Sequence, residues 1–230
     1  MRETPRVCVF DVNETLLDLG ALDPRFGEAF GEASGNAVRK EWFTQLLASW
    51  HTDMVTGVYH SFGEIGLSAL DMVAARRGVS LSEDQKKNII GGIRELPPHP
   101  EVEDSLSRLR DGGIRLAALT NSTAEVARQQ LENAGLSDYF EQILSADEVS
   151  RLKPAPEPYR MAADRLGVEM SGIRLVAAHA WDVAGAMRAG CAAAFVARPG
   201  MVLDPLADTP DVVGADLSET AERILEAERG

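Results

Sequence analysis

A carboxylate directly after a short apolar run is the first feature of this chain with obvious chemistry. Asp11 follows Val7-Cys8-Val9-Phe10, a run typical of a buried strand. In an open parallel sheet, ligands bind at the carboxyl ends of the strands, where this Asp would lie. A carboxylate there can attack carbon or phosphorus and form a covalent ester or acyl phosphate that water then cleaves. The alternative is an Asp that only forms a turn.

Other polar groups occupy similar positions further along the chain. Thr120-Asn121-Ser122 follows the predicted strand 114–119, and Ala180-Trp181-Asp182 follows the predicted strand 174–178. Lys153 lies in a proline-rich loop, where a solvent-exposed lysine is the alternative interpretation. Because the carboxyl ends of parallel strands share one edge of a sheet, the segments that follow strands would lie at the same edge as Asp11.

Taken in order, these segments resemble the four motifs of the haloacid dehalogenase superfamily. The motif residues are Asp11 with Thr15, Thr120 with Asn121, Lys153, and Trp181 with Asp182. Four motifs in the family's order over about 170 residues are far more specific than any one of them. The resemblance implies that Asp11 is the nucleophile and that Lys153 keeps it ionised.

Hydroxyl and amide groups can complete such a site. Thr15 and Thr120 can donate to Asp11 or to the substrate, and Asn121 can donate to a substrate anion. Thr120 and Asn121 can instead cap the following helix. Ser122, with Glu125 three residues later, fits a capping box and is expected to be structural.

The second position after the nucleophile separates two reaction classes. Superfamily phosphatases carry an Asp there as general acid and base, whereas this chain has Asn13, which cannot exchange a proton. Phosphoryl transfer and a strict need for magnesium are therefore disfavoured, although Asp11 and Asp182 alone could hold a metal weakly. The L-2-haloacid dehalogenase branch dispenses with that acid, because a halide leaves without protonation. We therefore predict no cofactor and no metal.

Resemblance to that branch extends to the surroundings of the site. Tyr159 lies six residues after Lys153, where those dehalogenases have a tyrosine near the site. Trp42, Leu47, Tyr59 and Phe62 fall at spacings that resemble the family's halide and side-chain pocket, although core packing would also explain them. The substrate-contacting residues that follow from the resemblance are Val12, Asn13, Phe43, Phe62, Thr120, Asn121, Tyr159 and Trp181.

Three departures from the branch pattern limit this transfer. Phe43 stands where the family has an arginine that holds the departing halide. Arg39 lies one helical turn earlier and could take the role of that arginine, but we expect Arg39 at the surface. Ala177 and His179 replace Ser and Asn, and Asn13-Glu14 replaces Tyr-Gly.

The second and third departures suggest a general base. Glu14 and His179 both follow strands of the expected sheet, so both can reach the same site. A histidine oriented by a carboxylate can activate the water that hydrolyses an ester on Asp11. The alternative is a His179 that hydrogen-bonds only to backbone or to Asp182.

The distribution of elements predicts an α/β fold, a doubly wound parallel sheet with an inserted helical cap. Helical periodicity covers 19–94, so we assign 1–18 and 95–230 to the core and 19–94 to the cap, with a hinge at 96–100. The expected core helices are 101–111, 124–134, 158–166, 183–189 and 218–228, and the strands after the first are 114–119, 142–146, 174–178, 193–197 and an edge strand at 212–213.

Composition narrows the partners. The 230 residues carry a formal charge of −13, which disfavours nucleic acid and anionic membranes. No run reaches transmembrane length and residues 1–6 lead directly into the first strand, so we expect a cytoplasmic protein. Cys8 and Cys191 form no CxxC or Cys/His cluster, which indicates buried thiols rather than a zinc site or a disulfide.

These observations together predict a cofactor-independent hydrolase. It would convert short (S)-2-haloacids to (R)-2-hydroxyacids through an ester on Asp11, with the haloacid and halide ion as its ligands. The branch is often dimeric, so a homodimer is expected. The alternatives are a different leaving group on a small carboxylic acid, a magnesium-dependent phosphatase of small metabolites, and a non-catalytic binding protein.

Overall fold

The computed structural model describes residues 7–31 and 35–228. Within them, parallel strands form one sheet in the order β3-β2-β1-β4-β5-β6. The strands are β1 (Val7–Phe10), β2 (Arg115–Thr120), β3 (Gln142–Ser145), β4 (Ile173–Ala177), β5 (Ala192–Val196) and β6 (Val212–Gly214). The predicted doubly wound sheet is confirmed, and β1 lies at its centre.

The strand order reverses at β1. From β1 the chain builds β2 and β3 on one side, and then crosses to β4, β5 and β6 on the other. The chain therefore leaves the neighbouring strands β1 and β4 in opposite directions along the sheet, which opens a crevice at their carboxyl ends. Asp11 directly follows β1, so the fold delivers this carboxylate to the crevice.

Both faces of the sheet are buried, which explains why the strands read as continuous apolar runs. Alternate residues of β1 enter different cores: Cys8 and Phe10 belong to one hydrophobic cluster, and Val7 and Val9 to the other. Helices cover the two faces: α5 (Val102–Asp111), α6 (Ala124–Asn133), α7 (Pro156–Leu166), α8 (Ala180–Ala189) and α9 (Leu217–Ala227).

Helices also fill the long connection between β1 and α5. They are α1 (Asp23–Phe30), α2 (Gly35–Thr56), α3 (Phe62–Arg77) and α4 (Glu83–Gly91). Ser61 and Glu64 form a capping box at the start of α3, and Gly78 ends that helix in a left-handed conformation. The Trp42 indole N–H of α2 donates to the carbonyl of Gly66 in α3 at 2.8 Å, which fixes the two helices against each other.

The segment after α4 packs directly against the turn that follows Asp11. The Asp18 N–H donates to the carbonyl of Pro97, and the His99 N–H donates to the carbonyl of Leu16, each at 2.9 Å. The turn after Asp11 and the predicted hinge 96–100 are thus joined by backbone hydrogen bonds. The division into core and cap stays a prediction, and the expected leader-free start at 1–6 falls outside the described residues.

The start of α8 and the N-cap of α6 differ from the prediction in ways that concern the site. α8 begins at Ala180 instead of 183, so Trp181 and Asp182 lie in its first turn, where a carboxylate is favoured by the helix dipole. The N-cap of α6 is Thr123, whose side chain accepts from the Val126 N–H, so the capping box predicted for Ser122 is wrong. Ser122 and Thr123 are both favoured N-cap residue types, and the local backbone decides between them.

Gly185 allows α8 to approach the lysine loop closely. A Cβ added at Gly185 would lie 2.3 Å from Pro154 Cβ and 3.0 Å from the Pro154 carbonyl oxygen. Because part of this contact is backbone, it cannot move away cheaply. The glycine thereby lets Asp182 on α8 reach Lys153, the residue before Pro154.

None of the helices in residues 7–31 and 35–228 has both the length and the apolar composition needed to cross a membrane.

Candidate active site

A buried lysine joins two carboxylates at the centre of the crevice. The Lys153 ammonium lies 2.9 Å from Asp11 Oδ1 and 2.6 Å from Asp182 Oδ2, and it also donates to the carbonyl of Leu119 at 2.8 Å. All three side chains are buried, so the surface position considered for Lys153 is excluded. An ammonium has three donors, and here each has an acceptor.

These contacts keep the nucleophile ionised. Burial alone would raise the pKa of Asp11, but the Lys153 ammonium, the His179 imidazole and the Thr15 hydroxyl together hold that pKa well below its usual range. The pKa of Lys153 is raised: burial opposes the charge, but Asp11 and Asp182 outweigh it. Asp11 is therefore a carboxylate and Lys153 an ammonium at neutral pH.

Thr15 holds the other oxygen of the nucleophile. Its hydroxyl donates to Asp11 Oδ2 at 2.7 Å and accepts from the Ala178 N–H at 2.9 Å. Because Ala178 directly follows β4, Thr15 ties the turn after β1 to the neighbouring strand. Both oxygens of Asp11 thus have fixed hydrogen-bond donors.

Glu14 and His179 meet beside the nucleophile. His179 Nε2 lies 2.9 Å from Glu14 Oε2, and His179 Nδ1 lies 3.3 Å from Asp11 Oδ2. Burial lowers the pKa of the imidazole, but the two carboxylates outweigh burial and raise the pKa of His179 to about 9. In the resting protein His179 is therefore an imidazolium, which must lose a proton before it can act as a base.

Aromatic rings enclose this imidazolium. Phe43 stacks on His179 with centroids 5.7 Å apart, and Trp181 stacks at 5.0 Å. Trp50 meets Trp181 edge-on, and Phe62 in turn meets Trp50. Within residues 7–31 and 35–228, the buried Trp181 Nε1–H has no hydrogen-bond acceptor. Phe43, Phe62 and Trp181, expected at the substrate, therefore belong to one aromatic wall beside His179.

Arg39 is buried, so the surface position expected for it is wrong. Its side chain is 8% exposed; its Nε donates to Asp23 Oδ1, and its Nη1 lies 3.7 Å from Glu14 Oε1. The guanidinium is thus committed to carboxylates. Arg39 lies beside the Glu14 carboxylate oxygen that His179 does not contact.

Asn121 of the second motif binds the backbone of Lys153, and both Asn121 and Thr120 keep hydrogen-bond donors. Asn121 Oδ1 accepts from the Lys153 N–H at 2.8 Å, and Asn121 Nδ2 donates to the Lys153 carbonyl at 3.2 Å. These bonds use one of the two amide N–H groups of Asn121. Thr120 is buried, and its Oγ1 accepts from the Ser122 N–H at 3.2 Å, which leaves its own O–H to donate.

Three other predicted site residues have mainly supporting contacts. Asn13 Oδ1 accepts from Gln130 at 2.8 Å, and Asn13 Nδ2 lies 3.4 Å from Ser122 Oγ. Val12 packs in the hydrophobic core, and its carbonyl accepts from two N–H groups of the following turn. The Tyr159 hydroxyl donates to Asp182 Oδ1, so this tyrosine orients the carboxylate that faces Lys153.

Sequence reasoning missed Arg198. This buried guanidinium donates twice to the carbonyl of Thr15 and pairs with Glu101. Its only sequence signal is a basic residue shortly after the strand β5, at the same edge of the sheet as Asp11.

Among the described residues, no group of three or more His, Cys, Asp or Glu side chains is arranged to hold a metal ion. The position between Asp11 and Asp182 is taken by the Lys153 ammonium. The cation that lies between these two carboxylates is thus a side chain of the protein itself.

A family model for haloacid dehalogenase-like hydrolases matches residues 5–190. The chain belongs to this family. It is 34% identical to (S)-2-haloacid dehalogenase 2 of Pseudomonas sp. (strain CBS-3), over 93% of each chain. It is 31% identical to (S)-2-haloacid dehalogenase of Pseudomonas sp. (strain YL), over 88% of this chain and 87% of the relative. The structure of L-2-haloacid dehalogenase from Xanthobacter autotrophicus matches with a TM-score of 0.88 at 24% identity, over 95% and 97% of the two chains, which shows the shared fold.

Titration of His179 checks the electrostatics of this site. Because its pKa in the folded protein, about 9, exceeds the ordinary 6.5, the imidazolium stabilises the fold fully below pH 6.5, and this contribution is lost as the pH rises through 9. We expect Asp11→Asn, which removes one carboxylate charge, to lower the pKa of His179. NMR titration of the imidazole in both proteins measures the difference.

His60 provides the control for this titration. It is exposed and pairs with Asp53 on the helical segment, so its titration should be the same in both proteins. An unchanged pKa of His179 in Asp11→Asn would contradict the electrostatic coupling.

Proposed function

We propose that this chain hydrolyses short (S)-2-haloacids to (R)-2-hydroxyacids through a covalent ester on Asp11. The observation that carries the proposal is an ionised Asp11 held by Lys153 and Thr15 at the switch point of the sheet. Support also comes from the relatives, which are named (S)-2-haloacid dehalogenases.

In the first step, Asp11 attacks C2 of the substrate from the side opposite the halogen. A carbon–oxygen bond forms, the carbon–halogen bond breaks, and the halide leaves with its electron pair. C2 is inverted, and no proton is needed for departure. Lys153 and Thr15 hold the carboxylate in one orientation, which supplies the alignment that a displacement at carbon requires.

The substrate carboxylate needs donors near the second motif. The Thr120 O–H and the remaining N–H of Asn121 are proposed to bind it, because both groups keep donor capacity after their contacts within the protein. Phe43, Phe62 and Trp181 are proposed to contact the alkyl part of the substrate and the leaving halide. Their apolar surfaces would exclude water from the reacting carbon.

The second step is hydrolysis of the ester, and His179 is proposed as its base. Esterification removes the negative charge of Asp11, so the imidazolium loses one of the two carboxylates that raised its pKa and releases its proton to solvent. With Nε2–H directed at Glu14, Nδ1 faces the ester and can accept a proton from the attacking water.

Collapse of the tetrahedral intermediate then restores the site. The bond between Cγ and the substrate oxygen breaks, and the 2-hydroxyacid takes from His179 the first proton of the water. Asp11 is left as a carboxylic acid with the second water proton and transfers it to His179, which restores the carboxylate and the imidazolium. Overall, one haloacid and one water yield the hydroxyacid, halide and the one proton that His179 released after esterification. The first step thereby activates the base for the second.

Asn13 disfavours phosphoryl transfer. Its amide has no exchangeable acid proton, and its oxygen accepts from Gln130 at 2.8 Å. A superfamily phosphatase would need a carboxylic acid at this position to protonate the leaving oxygen.

The proposal extends to domain organisation, location and assembly. We propose that residues 19–94 form a cap over the core 1–18 and 95–230, because the Tyr59 hydroxyl donates to Asp147 beside the lysine loop. A cytoplasmic location and a homodimer complete the proposal.

The reaction can be tested directly by halide release. We expect wild type to release chloride from (S)-2-chloropropionate in the presence of a chelator and to form (R)-lactate. Asp11→Asn should release none, because an amide cannot displace chloride at a useful rate. Chloride assay and chiral chromatography of the lactate give the result. Absence of chloride from a folded wild type, or (S)-lactate as product, would contradict the proposal.

His179→Asn should separate the two steps. Chloride release would continue to about one equivalent per site, whereas hydrolysis of the ester would slow by about 10²–10⁴-fold because the general base is missing. Mass spectrometry of the intact protein would then show one added 1-carboxyethyl group, the substrate carbon skeleton joined through C2 to Asp11. His60→Asn, on the protein surface, serves as control, and normal multiple turnover by His179→Asn would exclude the proposed base.

Glu14→Gly should relieve backbone strain while impairing hydrolysis. Glu14 has φ 62°, a left-handed conformation that glycine adopts without the steric cost of about 1–2 kcal/mol. In urea unfolding, the free energy of unfolding should therefore fall by less than the loss of the His179 and Arg39 contacts alone would cause, or it should rise. The ester on Asp11 should persist longer. Unchanged ester lifetime would show that Glu14 does not assist His179.

A further inference from the structure

Arg198 contacts the turn that follows Asp11, although it lies far from this turn in the sequence. Its Nε and Nη2 donate to the Thr15 carbonyl at 3.0 and 2.6 Å, and its Nη1 lies 2.8 Å from Glu101 Oε1. The side chain is 8% exposed. A buried guanidinium needs a carboxylate partner and acceptors for its N–H groups, and Glu101 and Thr15 supply them.

The carbonyl that Arg198 binds belongs to the residue that orients the nucleophile. The hydroxyl of the same Thr15 donates to Asp11 Oδ2. Glu14, the preceding residue, is held in a left-handed conformation and contacts His179. Fixing the Thr15 carbonyl therefore restricts a turn that carries one contact to the nucleophile and one to the proposed base.

We propose that Arg198 is a positioning residue that holds the turn 13–17 so that Thr15 faces Asp11 and Glu14 faces His179. Glu101 is its counter-ion and the N-cap residue of α5, just after the hinge 96–100. The pair thus anchors the nucleophile turn to the core where the helical segment rejoins it. The effects on kcat and KM that this inference predicts rest on the proposed haloacid hydrolysis.

The test compares Arg198 with a second buried arginine. Arg174 on β4 is also paired with carboxylates, Asp211 and Glu228, but it binds the Ala193 carbonyl and none of the site residues. Arg198→Lys keeps a charge for Glu101 but cannot reproduce two N–H bonds to one carbonyl. Arg174→Lys makes the same chemical change away from the site.

We expect Arg198→Lys to lower kcat for chloride release about 10-fold or more, with KM changed less than about threefold, because alignment is lost and binding is not. Arg174→Lys should lower Tm and leave kcat close to wild type. Glu101→Gln, which retains Arg198, should give a smaller loss of kcat and is the second variant if Arg198→Lys does not fold.

An NMR titration gives a readout that does not depend on turnover. If the turn relaxes, Glu14 moves away from His179, and the pKa of the imidazole falls in Arg198→Lys but not in Arg174→Lys. A wild type without dehalogenase activity would refute the proposed function, yet this titration would still test the positioning. Unchanged kcat and unchanged His179 titration in Arg198→Lys, or equal losses of kcat in the two lysine variants, would overturn the inference.

Discussion

The buried ammonium of Lys153 is the interaction on which the rest of the site depends. Two buried carboxylates, Asp11 and Asp182, share it, and removing one partner from such a group leaves an uncompensated buried charge that costs about 3–5 kcal/mol. Other features serve this contact. Asn121 clamps the lysine backbone, Tyr159 orients Asp182, and the absence of a side chain at Gly185 lets α8 approach.

The sequence was sufficient to predict the sheet, the motif residues at its carboxyl edge and the meeting of Glu14 with His179. The contact of Glu14 with His179 follows from the geometry of parallel strands, because residues after neighbouring strands share one edge, whereas the motif residues follow from the resemblance to the superfamily. Arg39 and Arg198 could not be placed in the same way. For Arg39, helical periodicity predicts the face of the helix but not the carboxylates that contact this face in the folded protein. Arg198 lies in the loop after β5, where no periodicity indicates the environment of a side chain.

Glu14 shows how a departure from a family pattern acquires a physical meaning. The branch pattern has glycine at this position, and the backbone here is left-handed, with φ 62°, which favours glycine. A glutamate there costs stability. It also gives the chain a carboxylate 2.9 Å from His179 Nε2, balanced by Arg39 on the other side. Strain at one residue combined with contacts to two charged neighbours supports a role in function.

The same donors serve both proposed chemical steps. Lys153 and Thr15 hold the two oxygens of Asp11 before the attack, and after it one of them still faces the ester carbonyl oxygen. When water attacks, that oxygen becomes an oxyanion, and a donor fixed in advance stabilises it without reorganisation. Because esterification removes one negative charge and the proposed loss of the His179 proton removes one positive charge, the site remains balanced. An acidic chain of net charge −13 can thus bind an anion where each carboxylate already has a basic partner.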